Sequence, residues 1–187
     1  MRYSFEPRED PDIDSVWRWF EFQLGLIREE QGRILQILAT GRDIGVAPPG
    51  SQGSLFIGLA PREVEEFFDE QTGQLELLIM FELLATTEAI LRIDFNARVG
   101  ERRKDDLSRR FREAHKLRGN KIRLDDDILG ALKDAGVGVG DFRGTLKLRD
   151  WLAHGRHWHP KLGRPTSAPM QRGTFLAKTV TVLRETQ

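Results

Sequence analysis

The sequence predicts an all-α fold, a helical bundle with two long early helices and a late helix that carries its most unusual motif. Three observations carry that prediction. Apolar residues recur at three- and four-residue spacing over long stretches. Prolines, glycines and acidic residues cluster where helices begin or end. Only Ser54 to Leu59 reads as a short extended piece, and it sits inside a loop. The chain has 187 residues, with 39% hydrophobic and 31% charged side chains, a soluble globular composition. That length buries a sizeable core without staples. The expected organisation is a polar arm over residues 1–13 and one helical domain over 14–187.

Taken in order, Asp12 or Asp14 is the N-cap of the first helix. Val16, Trp19, Phe20, Leu24, Ile27, Ile34, Leu35 and Leu38 give it one apolar face, to about Ala39. Residues 41–60 form a long loop containing Pro48-Pro49-Gly50. Pro61 suits the first turn of the second helix, which runs to about Val99 with a possible break at Thr72-Gly73. Its second half, Leu75 to Phe95, is apolar over most of its circumference and reads as the most buried helix. Asp105 and Asp106 start a third helix that Gly119-Asn120 stops. Asp125-Asp126-Asp127 favour the N-terminus of a helix spanning Leu124 to Ala135. After Gly136 to Gly140, Asp141 opens a helix to about His154. A final helix spans about Gln171 to Arg184.

Composition removes several function classes. There is no cysteine, which excludes disulfides and cysteine-based zinc sites and fits a reducing cytoplasm. The first residues contain no apolar stretch of the kind a signal peptide needs. The apolar run from Leu75 to Phe95 is interrupted by Glu76, Glu82, Glu88, Arg92 and Asp94, so no membrane span is expected. The net charge of zero conceals an asymmetry. Residues 1–101 hold 9 Lys+Arg and 19 Asp+Glu, and residues 102–187 hold 20 and 10. Opposed halves of this kind suit self-association, a basic face for a polyanion, or pairing of the halves within one fold.

The informative stretch is Lys147 to His159. It contains Arg149-Asp150-Trp151-Leu152-Ala153-His154, an Arg-x-x-x-x-His pattern followed by Gly155. Metal-free RNA cleavage needs a base for the 2′-hydroxyl, an acid for the 5′-oxygen and a cation for the phosphorane oxygens. Histidine titrates near neutrality and serves as base or acid. Arginine stays charged and presents a planar fork to phosphate. On an ideal helix, residues five apart are separated by about 140°. Arg149 and His154 therefore converge only if His154 sits at the helix end, where Gly155 is a plausible C-cap, and the Arg side chain swings toward it. The alternative is a structural helix C-terminus, with His154 on the dipole and Arg149 paired to a carboxylate.

This stretch resembles the signature of the HEPN superfamily, strongly over residues 146–158 and more loosely over the C-terminal two-thirds. The Leu-Ala-His-Gly ending and Trp151 are similar to the branch called RiboL-PSP-HEPN. The resemblance implies a helical bundle that dimerises so that two motifs face each other, acting as a metal-independent endoribonuclease in toxin–antitoxin or phage-defence systems. It implies that Arg149 binds the scissile phosphate, that His154 is the acid or base, and that Asp150 orients them. In some members an acidic residue from an earlier helix lies beside the motif, and Glu88 is the candidate. Glu88 is equally placed for an ion pair with Arg92 one turn later. Members controlled by a nucleotidyltransferase antitoxin often carry Tyr two residues after the His. Here Arg156 stands there, so control of that kind is not expected. The alternative function is a non-catalytic HEPN-like domain that binds RNA, a nucleotide or a partner protein.

Other candidates are weaker. Arg156 and His157 read as phosphate or base contacts, and Trp158 as a stacking surface or a core residue. The spacing of His154, His157 and His159 matches no familiar metal motif, so neither metal nor cofactor is expected. Residues 102–123 carry ten Lys/Arg against three acids. Arg109, Arg112 and Lys116 from this tract are candidate RNA contacts; the alternative is a solvated helix face. Gly136 to Gly140 lacks the ending of a nucleotide-binding phosphate loop.

Overall fold

A computed structural model of the chain describes residues 12–40 and 55–154. The N-terminal arm up to residue 11, most of the 41–60 loop and the expected last helix lie outside the described residues. The fold is all-α: every regular element is helical, and no strand occurs among the described residues. The elements are α1 (Ile13–Ala39), α2 (Pro61–Glu101), α3 (Asp106–Arg118), α4 (Leu129–Asp134) and α5 (Gly140–Ala153). Among the described residues, 14–80 form one compact unit and 81–154, with Asp12 and Ile13, belong to another, so α2 contributes to both. No helix among the described residues is long and apolar enough to cross a membrane.

The first unit is built on α1 and the start of α2. Asp12 immediately precedes α1. Phe20, Leu24 and Ile34 are buried at helical spacing. At its end, Thr40 donates through its hydroxyl to the carbonyls of Gln36 and Ile37, at 3.0 and 3.1 Å. The Gln36 carbonyl also accepts the Thr40 N–H at 3.1 Å, so Thr40 closes the last turn with both its backbone and its side chain. Ile34, Phe56, Val64 and Phe68 form the core. Phe56 stacks on Phe68 at 5.5 Å and meets Phe67 edge-on at 5.3 Å.

Leu55 and Phe56 lie in a 3-10 turn, not the expected extended piece. Phe56 points in while Leu55 and Ile57 are exposed. Three residues of alternating burial fit a strand and a turn equally well. Gly58, at φ +82°, reverses the chain and decides for the turn.

Pro61 opens α2 as expected. The Glu63 carboxylate accepts from the Ala60 N–H at 2.7 Å, and the Glu63 N–H donates back to the Ala60 carbonyl at 2.9 Å, a reciprocal cap. The helix then runs unbroken through Thr72-Gly73. One glycine costs about 1 kcal/mol in a helix, which the buried Phe68 and Leu75 on either side outweigh. The segment from Leu75 to Phe95, apolar over most of its circumference, is buried on one side. Leu83, Leu84, Thr87, Leu91, Phe95 and Arg98 are buried, but Leu78 and Ile93 are exposed, so the helix hides a stripe.

In the second unit, Asp105 caps α3 by accepting from the Ser108 N–H at 2.9 Å and the Ser108 hydroxyl at 2.7 Å. The buried Arg98 of α2 is held by Asp94 at 2.7 Å and Asp105 at 3.2 Å, which ties the end of α2 to the start of α3. The hydrogen bonds from Ser108, side chain first and backbone second, hold the Asp105 carboxyl below its ordinary range. A lowered native value means that this stability is present above the unfolded pKa of about 4 and is lost as pH falls through the native value. Asp105→Ala should therefore cost about 1–2 kcal/mol at neutral pH. In urea titrations the gap to wild type should narrow below about pH 4.

The expected helix over Leu124 to Ala135 is two pieces. Residues Leu124–Ile128 form a π turn, in which the Ile128 N–H reaches the Arg123 carbonyl at 3.3 Å, and α4 follows. The wide turn lets Leu124, Ile128, Leu129 and Leu132 all face inward. Asp127 fixes it. Its carboxylate accepts the Arg123 N–H at 2.8 Å and pairs with Arg118 of α3 at 3.0 Å. Asp127→Ala should lower stability by about 1–3 kcal/mol in the same assay, because it removes a cap and a largely buried ion-pair partner together. Gly136, at φ +91°, ends α4. Helix α5 buries Phe142 and Leu146, and Arg143 donates to the Asp125 carbonyl at 2.7 Å, anchoring α5 to the π turn.

Candidate functional site

Arg149 lies three residues after the buried Leu146 on α5, at the edge of the helix's inward face. Its Nη1 donates to Glu88 Oε2 on α2, a residue 61 positions earlier in the chain. Its Nε and Nη2 both donate to Asp150 Oδ1, at 3.1 and 2.8 Å. The other oxygen of Glu88, Oε1, accepts from Arg92 Nε at 2.9 Å and lies 2.8 Å from Arg92 Nη2. Both placements weighed for Glu88 therefore occur at once: it pairs with Arg92 one turn along its own helix and with the motif arginine on another. One carboxylate bridges two guanidinium groups.

Arg149 and Glu88 are about a quarter and a fifth exposed, partly withdrawn from water yet reachable. Burial alone pushes the Arg149 guanidinium down. The hydrogen bond to Asp150 and the charges of Glu88 and Asp150 outweigh it, so the group is raised and remains a cation. A guanidinium has five N–H donors. Three are engaged by Glu88 and Asp150, which leaves two for an anion among the described residues.

His154 sits one residue beyond the last residue of α5. Its N–H donates to the Asp150 carbonyl at 3.0 Å, extending the helical ladder by one step, and the residue is exposed. It thus occupies the helix end, the first of the two conditions for convergence with Arg149. The Arg149 side chain is turned to Glu88 and Asp150. Gly155, Arg156, His157, Trp158 and His159 lie outside the described residues.

Arg109, Arg112 and Lys116 share one face of α3, at intervals of three and four residues. Arg109 pairs with Asp106, and Arg112 Nη1 donates to the Arg103 carbonyl at 2.6 Å. Lys116 is exposed. Elsewhere in the tract, Arg110 pairs with Asp106, Arg118 with Asp127 and Arg123 with Asp126. Much of its positive charge is thus balanced by nearby acids, as a solvated face requires. Among the described residues, no group of three His, Asp or Glu is placed to hold a metal ion.

Two residues matter here beyond the predicted site set: Arg92, which the sequence offered only as an ion-pair partner for Glu88, and Arg98, which it did not single out. Arg92 belongs to the site, and its only sequence signal was its position four residues after Glu88. Arg98 is an arginine buried in an apolar helix, signalled only by Asp94 one turn before it. No protein-family model, curated protein or solved structure matches the chain.

Proposed function

We propose that the chain is a metal-independent endoribonuclease of the HEPN type, acting as a cytoplasmic homodimer in a toxin–antitoxin or phage-defence setting. The observation that carries this reading is the coupling of Arg149 to Glu88. An acidic residue from an early helix engages the arginine of an Arg-x-x-x-x-His motif whose histidine stands at an exposed helix end. In this reading Arg149 stabilises charge on the non-bridging phosphate oxygens. His154 takes the proton of the 2′-hydroxyl as its oxygen attacks phosphorus, or gives one to the 5′-oxygen as that bond breaks. In an in-line displacement the 2′- and 5′-oxygens lie on opposite sides of phosphorus, so one His serves one of them and a second motif from a partner copy serves the other. Asp150 orients Arg149 through two hydrogen bonds.

The test is incubation of wild type and His154→Ala with labelled RNA in EDTA. Cleavage by wild type alone, leaving 2′,3′-cyclic phosphate ends, is the expected result. One observation favours a rival reading: two carboxylates already engage Arg149, as in a structural pair or a domain that binds RNA, a nucleotide or a protein without cutting. Intact RNA after long incubation with a dimer that binds it would select that rival.

A further inference from the structure

Glu88 makes an unusual use of its two oxygens. Oε2 takes Arg149 Nη1, and Oε1 takes Arg92 through Nε and Nη2. Paired oxygens of one anionic group, each facing its own guanidinium, also describe a phosphate held between two arginines. Arg92 is suited to such a role, since its side chain is 43% exposed and carries no second acidic partner among the described residues. The four charged groups, Arg92 and Arg149 against Glu88 and Asp150, sum to zero, so an incoming phosphodiester meets no net attraction while Glu88 stays in place.

We infer that Arg92 and Arg149 form a two-arginine clamp for a phosphodiester, and that Glu88 is the internal anion that occupies it until the ligand phosphate displaces it. The assignment rests on the nucleic-acid reading of the motif for the class of ligand. It adds Arg92 as a binding residue and makes Glu88 a competitor of the substrate as well as a support for Arg149. The exchange is electrostatically neutral: one anion leaves the two guanidinium groups as another arrives, and the freed carboxylate turns to water.

The probe is a fluorescent 2′-O-methyl RNA octamer, which keeps its phosphates and cannot be cleaved through the 2′-oxygen. Its binding is measured by anisotropy at fixed low salt to wild type, Glu88→Gln, Arg92→Gln and the double variant. Helix content by circular dichroism checks that each is folded. Glu88→Gln should bind on the order of five- to ten-fold more tightly, the size expected for removing one like charge from a partly exposed site. That gain should vanish in the double variant, and Arg92→Gln alone should bind more weakly than wild type. Unchanged or weaker binding by Glu88→Gln, or a gain that survives loss of Arg92, overturns the clamp. RNA cleavage in EDTA is scored separately. Uncut RNA together with the expected binding pattern removes the nuclease reading and leaves the clamp standing. Cleaved RNA with binding indifferent to Arg92 removes the clamp alone.

Discussion

Arg149→Ala and His154→Ala are each expected to lower RNA cleavage by about 10²–10⁴-fold, the range for losing a positioned acid–base group or a preorganised cation. Thermal unfolding should barely change for His154→Ala, since the residue is exposed. Arg149→Ala leaves Glu88 paired to Arg92 and Asp150 solvated, so its structural cost should stay below about 1 kcal/mol. Arg149→Lys separates charge from shape. The ammonium keeps the charge but cannot donate to Glu88, Asp150 and a phosphate from one plane. It should therefore recover only a small part of the rate. Cleavage near the wild-type rate by either alanine variant would remove that residue from the mechanism.

The dimer required by this mechanism makes a further prediction about mixtures. A heterodimer of wild type and His154→Ala keeps one imidazole where the mechanism needs two, so it should cleave far more slowly than half the wild-type rate. A heterodimer at half the wild-type rate would show that each copy cuts with its own Arg and His alone.

Much of the scaffold was legible in the sequence because helix ends obey local rules. Pro61, Asp105 and Gly119 act within one turn of themselves, and each stands where its chemistry placed it. The π turn was not legible. It depends on Asp127 finding Arg118 of the preceding helix, a tertiary contact that helix propensity does not contain. Nor was the turn around Phe56, because in-out alternation over three residues does not distinguish a strand from a tight turn. In the site, Glu88 could be nominated only through the resemblance, which implied an acid from an earlier helix beside the motif. That it would hold Arg92 and Arg149 simultaneously could not be read, since local spacing offered one partner and topology supplied the other.

The same division between local and tertiary determinants sets the largest expected effect on folding. Phe111 of α3 is 1% exposed, and its ring lies 4.9 Å from that of Phe95 on α2. Phe111→Ala removes that aromatic contact and leaves a cavity that the surrounding helices fill only in part. A cost of about 3–5 kcal/mol is expected in urea unfolding. Phe22→Ala on α1 is the control, because that ring is 63% exposed and its loss should change stability by less than about 0.5 kcal/mol. The aromatic pair joins α3 to the half of α2 that also carries Glu88 and Arg92. Loosening α2 there should raise hydrogen exchange along residues 84–98 before the global transition. It should also weaken the Glu88–Arg149 coupling through α2. Local protection of those amides at the wild-type level in a globally destabilised Phe111→Ala would show instead that this segment of α2 does not depend on the Phe95–Phe111 contact.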